Sequence, residues 1–435
     1  MRKNVPSFVC HGCGAEVFLD RTLPFACPNA RAGDDVDHLL VPRDDDPSVT
    51  PGDEENPFLR YRSWLTPYRL ARAAGLSDEA YKEIVKELDE KLITVDGRGF
   101  RITPMAAQPA LARAVGLHGP LLVKNETGNV AGSHKARHLM GVLIFLRVLE
   151  AARLPAAASV KDKRLAIASC GNAALAAAVV ARAADKPLDV FIPPDAEASV
   201  VARLRDLGAA IKICERRPSE TGDPCVSAFR AAVAGGALPF GVQGPDNGLA
   251  VEGARTLAFE IAEFFARDAT TSNNPGTLAV QVGGGALASA LAQGFALAAR
   301  AKVLSRAPRL LVVQTEGCAP LARAVSRADG VDPAEAARAR SRFMWPWEQT
   351  PTSLAHGILD DETYDWLEIL KSIRSTGGAA CVVDEETVAK AHALGRAHTG
   401  IDVSATGTAG LAGVIASAKA LGDGPVTVIF SGVER

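Results

Sequence analysis

A lysine that is to form an imine must be partly desolvated, because only its neutral amine attacks a carbonyl. Lys135 stands where that can be arranged. It follows Gly132-Ser133-His134 and precedes the apolar run His138–Leu149, at the start of a helix whose positive dipole end disfavours an ammonium. Taken alone, a lysine at a helix start is more often a solvated one. A second segment, Gln281-Val282-Gly283-Gly284-Gly285-Ala286, follows an apolar strand and opens a helix. Its consecutive glycines let backbone N–H groups close around a phosphate, or simply make a tight turn. It is neither a Walker A loop, since no Lys-Ser or Lys-Thr follows, nor a dinucleotide fingerprint with GxGxxG spacing and an acidic partner. The third, Ala168-Ser169-Cys170-Gly171-Asn172-Ala173, offers small polar groups at a helix start, where a carboxylate can bind. Asn172 also reads as a plain helix N-cap, and Cys170 as an inert, half-buried thiol. The fourth is Ser431, in Phe430-Ser431-Gly432, a hydroxyl at the end of a strand that faces the crevice where open α/β sheets bind ligands.

The elements that must hold these residues are short apolar strands at Leu165–Ala168, Val190–Ile192, Ile211–Cys214, Leu278–Val282, Leu310–Gln314 and Val426–Phe430. Helical stretches alternate with them at Ala173–Ala184, Ser199–Leu207, Glu252–Phe265 and Ala286–Ala299. This alternation implies an α/β protein with parallel sheets flanked by helices, and strands without polar alternation fit burial on both faces. Ahead of them, Phe58 to Gly119 reads as helical, with Ser77-Asp78-Glu79-Ala80 capping a helix that runs through Lys91. A polar stretch from Pro42 to Pro57 reads as a linker.

Length and composition narrow the function classes. The 435 residues exceed one typical domain, and 48% hydrophobic content supplies a large core. A net charge of -2 gives no electrostatic reason to expect nucleic acid or an anionic membrane as partner. The apolar runs Leu139–Leu149 and Leu287–Ala299 are too short and interrupted to span a bilayer, and Met1-Arg2-Lys3-Asn4 does not open a secretory signal. The expected compartment is the cytoplasm, where the eight cysteines read as reduced thiols or metal ligands. Arg203 and Arg205 read as parts of solvated faces.

Cys10-His11-Gly12-Cys13 is a C-x2-C knuckle, with Cys27 and His38 further on. Together they could close a Cys3His zinc site of structural kind. The second knuckle, Cys27-Pro28-Asn29-Ala30, carries only one thiol, so a degenerate ribbon without metal is the competing reading.

The order and spacing of the motifs resemble the fold type II pyridoxal-phosphate (PLP) enzymes, and threonine synthases most of all. Lys124-Asn125-Glu126 through Arg137 is similar to that family's segment around the cofactor lysine. Ser169 to Ala173 is similar to its asparagine loop, Glu252-Gly253 with Thr256 and Glu260-Ile261 to one of its helices, and Gln314 to Leu321 to a further segment. The cysteine-rich N-terminus before Arg60-Tyr61-Arg62 also recurs there.

The resemblance implies pyridoxal 5'-phosphate as cofactor, bound by Lys135 as a Schiff base, with the same amine later shuttling a proton. Gly283, Gly284, Gly285 and Ala286 would bind its phosphate, Asn172 its phenolate oxygen and Ser431 its ring nitrogen. A serine there cannot hold a full pyridinium charge, which favours elimination and replacement over transamination. Ser169, Cys170 and Gly171 would receive the substrate carboxylate, with His134 beside them.

The implied fold has two domains, like the tryptophan synthase β subunit. Residues 58–132 with 241–435 would form a large PLP-binding domain and 133–240 a small mobile one. Residues 1–57 would add a zinc-ribbon-like segment and linker. The implied activity is that of a lyase working at Cβ or Cγ of a small amino acid, in a homodimer. A β-replacement synthase of the tryptophan synthase β or cysteate synthase kind, and a non-catalytic PLP-binding homologue, are the alternatives. Departures from the threonine synthase pattern fall on the substrate side: His134 and Ala136 flank the lysine, and Cys170 and Ala173 replace hydroxyl residues. Ser353 to Asp361 is nearer to diaminopropionate ammonia-lyase relatives.

Overall fold

The computed structural model describes residues 5–44, 51–216, 223–267 and 273–435. Three short strands, β1 (Ser7–Cys10), β2 (Glu16–Phe18) and β3 (Leu40–Pro42), form an antiparallel ribbon with β1 in the middle. They are too short for any alternation in the sequence to reveal them. The ribbon is seated on the rest of the chain: Asp37 N–H donates to the Ala337 carbonyl (2.7 Å), Gly248 N–H donates to that of Phe25 (3.1 Å), and His11 meets Glu368 and Lys371.

The polar stretch after the ribbon is anchored where it is described. Asp44 receives Arg69 at 2.9 Å and the buried Arg255 at 2.6 Å. Residues 45–50 of the expected linker lie outside the described residues. The helix expected after Ser77 spans Asp78–Asp96, longer than the reading to Lys91. Ser77 accepts the Ala80 N–H, and Gly97 stops the helix in the left-handed conformation.

Next come β4 (Met105–Ala107) and β5 (Leu121–Asn125). Four strands follow in a second sheet: β6 (Leu165–Ala168), β7 (Leu188–Ile192), β8 (Ala210–Ile213) and β9 (Leu238–Pro239). The chain then returns to the first sheet with β10 (Thr277–Gln281), β11 (Arg309–Thr315), β12 (Ala379–Val383) and β13 (Val426–Phe430). The larger sheet has the order β12-β11-β10-β13-β5-β4, and the smaller β8-β7-β6-β9. All pairings are parallel except that of edge strand β4 with β5. Six expected strands and four expected helices therefore fall within two residues of their places, apart from the later start of the Glu252 helix at Arg255. A β-strand pattern of continuous Val, Leu and Ile is legible because both faces are covered.

The helix Lys135–Ala151 packs chiefly against other helices, among them Asn172–Ala183, Thr66–Ala73 and Asp78–Asp96. Its side chains from Ala136 to Leu146 are buried without exception, so it lacks a polar face. Two of those buried side chains are Arg137 and His138, and their polar atoms fix where the helix start can sit. No helix among the described residues is long and apolar enough to cross a membrane.

Candidate active site

Behind Lys135 lies a buried ion network. Arg137 donates to Glu126 at 2.8 Å and to Glu260 at 2.6 Å, and Lys124 donates to the other oxygen of Glu260 at 2.6 Å. Thr103 and Thr256 hydroxyls take further positions around it. Burial opposes charge on Arg137, but Glu126 and Glu260 outweigh it and hold the guanidinium charged. The same balance keeps Glu126 below the usual carboxylate range, with burial opposed chiefly by Arg137. β5, the lysine helix and the helix Arg255–Arg267 are thereby tied at one point.

In front of Lys135 the motifs converge at the C-terminal ends of the strands. The turn before the lysine pairs with the segment after β13: Ser133 bridges to Gly432, and His134 N–H donates to the Ser431 carbonyl at 3.1 Å. His134 Nδ1 lies 3.1 Å from the same carbonyl, so Nδ1 carries the hydrogen and buried Nε2 is left as an acceptor without a partner. Burial, helped by Lys135, brings this ring down to about 3, and it is neutral. Gln281, at the end of β10, donates through Nε2 to Ser431 Oγ at 2.7 Å. The Ser431 hydroxyl hydrogen is then available to donate elsewhere. Gly432 lies against Asn172, where an added Cβ would come within 3.1 Å of Nδ2.

The helix after the asparagine loop begins at Asn172 itself, with Gly171 in the N-cap position. The plain capping role for Asn172 is therefore not what the side chain does. Its Oδ1 accepts from Arg435 Nε at 2.5 Å, which leaves Nδ2 as its free donor. Cys170 is exposed at the mouth; burial of its sulfur raises its pKa, and Asp195 and Asp223 push the same way.

The glycine loop offers the clearest sign of what it binds. Gly284 N–H donates to Asp360 Oδ2 at 2.8 Å, so an anionic oxygen already sits on the loop backbone. A Cβ on Gly283 would lie 2.3 Å from that oxygen, and Gly285 has φ 98°, a conformation that favours glycine. The loop is thus built for close approach of an anion at the start of the helix Ala286–Arg300. Lys135 is half-buried. Burial lowers the pKa of its amine, opposed by Asp360 and Asp365. Asp365, against Gly285, is itself raised to about 7 by burial. Asp360 thus links the glycine loop to Lys135, and the strand end at Ser431 and Gly432 links the Lys135 turn to Asn172, the grouping that the resemblance implies for a PLP site. Sequence reasoning missed Gln281, Asp360, Asp365 and Arg435 as parts of it. Only the unusual Ser353 to Asp361 segment gave a signal, and it carried no role.

At the other end of the chain, Cys10, Cys13, Cys27 and His38 place their ligand atoms within 4.8 Å of one another. Cys10 Sγ lies 3.4 Å from His38 Nδ1, and Cys13 Sγ lies 3.6 Å from Cys27 Sγ. Zinc–sulfur bonds of about 2.3 Å give a tetrahedron with sulfur edges of about 3.8 Å, close to this spacing. Burial opposes ionisation of Cys13, but the Ala15 N–H and the neighbouring thiols outweigh it and bring Cys13 down to about 7.

Comparison with known proteins agrees with this geometry. The profile of the family described as "Pyridoxal-phosphate dependent enzyme" matches residues 98–432, and the chain belongs to that family. It is 27% identical over 316 residues to the threonine synthase of Methanosarcina acetivorans, covering 72% of this chain and 68% of that one. It is 29% identical over 198 residues to a serine dehydratase-like protein of Mus musculus, covering 45% of this chain. The chain spans about half the length of that relative, 52%. Among solved structures, diaminopropionate ammonia lyase from Escherichia coli superposes with a TM-score of 0.59 at 16% identity, over 82% of this chain and 89% of that one. A fungal L-serine ammonia-lyase from Rhizomucor miehei superposes with a TM-score of 0.56 at 17% identity, over 77% and 94%. These likenesses establish the fold type II architecture of PLP enzymes.

Proposed function

We propose that the protein is a PLP-dependent lyase that removes a β or γ substituent from a small amino acid. The observation that carries the reading is the pair at the end of β10 and β13, where Gln281 holds Ser431 Oγ as an acceptor. A hydroxyl in that position donates to an unprotonated ring nitrogen and offers no carboxylate to stabilise a pyridinium. That suits elimination better than transamination. When bound, PLP supplies the electron sink that makes the substrate's α-hydrogen acidic. The chain's own residues do the rest. Lys135 holds the cofactor and then moves the α-proton, its amine kept partly neutral by burial. The backbone of Gly283 to Ala286 takes the phosphate in place of Asp360. Asn172 Nδ2 meets the phenolate oxygen, and Ser169, Cys170 and Gly171 orient the substrate carboxylate, with His134 alongside.

The surroundings favour a hydroxyl or ammonium leaving group over a phosphate. Cys170 feels the carboxylates of Asp195 and Asp223, and Asp223 also acts on Asp360 and Asp361. A phosphorylated side chain would enter against these charges, and Cys170 and Ala173 offer it no hydroxyl donor. Residues 133–240, which carry the smaller sheet, would close on the substrate over the large domain of 58–132 and 241–435.

Lys135→Ala is expected to abolish the absorption band of lysine-bound PLP and its bleaching by borohydride, while Lys124→Met in a folded sample keeps both. A band retained in Lys135→Ala would refute the assignment. Turnover then tests the class: serine, threonine or 2,3-diaminopropionate should yield keto acid and ammonia, whereas O-phosphohomoserine should release no phosphate. Phosphate release at a rate above that of ammonia from all three others would instead make the chain a threonine synthase. For the ribbon we propose structural zinc on Cys10, Cys13, Cys27 and His38. Metal analysis is expected to find one equivalent per chain, lost in Cys27→Ser with the PLP band retained.

A further inference from the structure

Beside Arg435, which bonds to Asn172, lies a solvent-open cavity of about 220 Å³. Arg98, Arg203 and Arg435 line it, together with Asp96, over an apolar floor that includes Leu175 and Leu207. These arginines come from three separate places: just past the helix Asp78–Asp96, the helix Ala198–Asp206, and the segment after β13. Among the described residues, none of the three has a carboxylate within ion-pair distance. Asp96 is engaged instead with the Ala131 N–H at 2.9 Å. Arg203 is exposed, as its reading as part of a solvated face expects, and it also lines this cavity with two other cations. Bringing like charges together costs free energy that a bound anion would relieve.

We propose that this cavity binds a small organic phosphate monoester, and that its occupancy is felt at the cofactor. The lining side chains carry three positive charges and one negative, so an anion meets an excess of positive charge there. Guanidinium forks match the terminal oxygens of a phosphate, and the apolar floor takes a short carbon body. The cavity is contiguous with the active site through two contacts. Arg435 Nε donates to Asn172 Oδ1 at 2.5 Å, and its Nη2 donates to the Ala131 carbonyl at 2.6 Å. Ala131 has φ 54° and Gly132 φ 67°, so the turn that delivers Lys135 runs through two consecutive left-handed residues. For alanine that conformation is strained, and Asp96 and Arg435 clasp it from both sides. Burial lowers the pKa of Arg435, Asp96 and Glu197 oppose this, and Arg98 and Arg203 add to it. An anion drawing Arg435 toward the cavity centre would loosen its bond to Asn172 and let the amide turn. The binding stands on the cavity alone; its coupling to the cofactor rests on the reading of Asn172 given above.

The test titrates n-propyl phosphate into the PLP-loaded protein, followed by calorimetry and by the absorption band of lysine-bound PLP. One equivalent is expected to bind per chain, about tenfold more weakly in Arg203→Gln and in Arg98→Gln, as befits loss of one charge-assisted contact. The band should shift on binding in the parent, and in the two variants the same shift should need about tenfold more n-propyl phosphate. Saturable binding with unchanged affinity in both variants, or no saturable binding, would overturn the site. Arginine-dependent binding with an unmoved band would overturn the coupling. Arginine-dependent binding in a chain with no lysine-bound PLP band would uphold the site and sink the active-site reading instead. The substitutions lie on exposed side chains outside the residues proposed to hold the cofactor, and an unchanged band before titration checks that each variant is intact.

Discussion

The two sides of Lys135 handle buried polar groups in opposite ways. Behind it, Lys124, Arg137, Glu126 and Glu260 form a neutral set in which each charge is met by an opposite one at 2.6 to 2.8 Å. In front, Ser133 Oγ, His134 Nε2 and Gln281 Oε1 are buried with no partner, and the glycine loop takes a carboxylate from a distant segment. Unpaired buried polar atoms are costly, and native proteins keep few of them. Unpartnered buried atoms also occur elsewhere in the scaffold, as at His138 Nε2 and Arg255 Nε. The contrast therefore rests on the paired network behind the lysine and on the carboxylate held by the glycine loop in front of it. Charge by itself does not mark the ligand side: the most highly charged cluster near the lysine is the one with nothing left to offer a substrate.

Breaking the network should give the largest effect. Glu260→Gln removes the charge shared by Lys124 and Arg137 and leaves both buried with a single remaining carboxylate. Loss of one partner from a buried pair costs about 3–5 kcal/mol, and urea unfolding of the PLP-free protein should read a loss of that size. The absorption maximum of any PLP-loaded, folded fraction should stay where it is, because no network residue is among those proposed to hold the cofactor. A displaced maximum with unchanged stability would erase the distinction between the two sides. Ser431→Ala acts on the other side and should do the reverse. It removes one hydrogen bond to the ring nitrogen, worth about 1 kcal/mol, so PLP affinity should fall about fivefold. Stability of the PLP-free protein should change little, since Gln281 Nε2 keeps the Gly407 carbonyl at 3.2 Å. Equilibrium dialysis and unfolding on the same sample separate the two outcomes.

This contrast also explains what could be read from the sequence. The strands were legible because continuous apolar runs mark burial on both faces, and the glycine loop because three consecutive glycines interrupt such a run. Lys135, Asn172 and Ser431 were singled out by the order of their motifs, since neighbouring residues alone did not distinguish them from a solvated lysine, a cap and a stray hydroxyl. The ribbon strands were too short for any periodicity, and only the cysteines betrayed them. Asp360 and Arg435 were illegible for a different reason. Each acts on a residue far away in the chain, Asp360 on Gly284 and Arg435 on Asn172, and no local pattern encodes such a meeting. Arg203 shows the same limit: spacing on a helix says which face it occupies, not what else arrives there.

Asp360 gives the smallest effect and the sharpest check on the ligand-facing side. Its carboxylate occupies the Gly284 N–H and also favours the ammonium form of Lys135. Asp360→Asn keeps a hydrogen-bonding oxygen but removes the charge. The incoming phosphate then displaces a neutral acceptor instead of an ionised one, a difference of about 0.5 kcal/mol, and affinity of the PLP-free protein for PLP should rise about twofold. The second consequence carries a sign. Burial lowers the Lys135 pKa and Asp360 raises it, so without the carboxylate the amine titrates at still lower pH. A larger fraction is neutral at any pH below the original midpoint, and the rate of PLP attachment, measured by rapid mixing across pH, should show its midpoint moved down. At pH low enough to protonate Asp360, whose own pKa burial raises, the two proteins should converge. An unmoved midpoint with tighter PLP binding would mean that Asp360 guards the phosphate loop without facing the lysine. An upward shift would contradict the arrangement of the site.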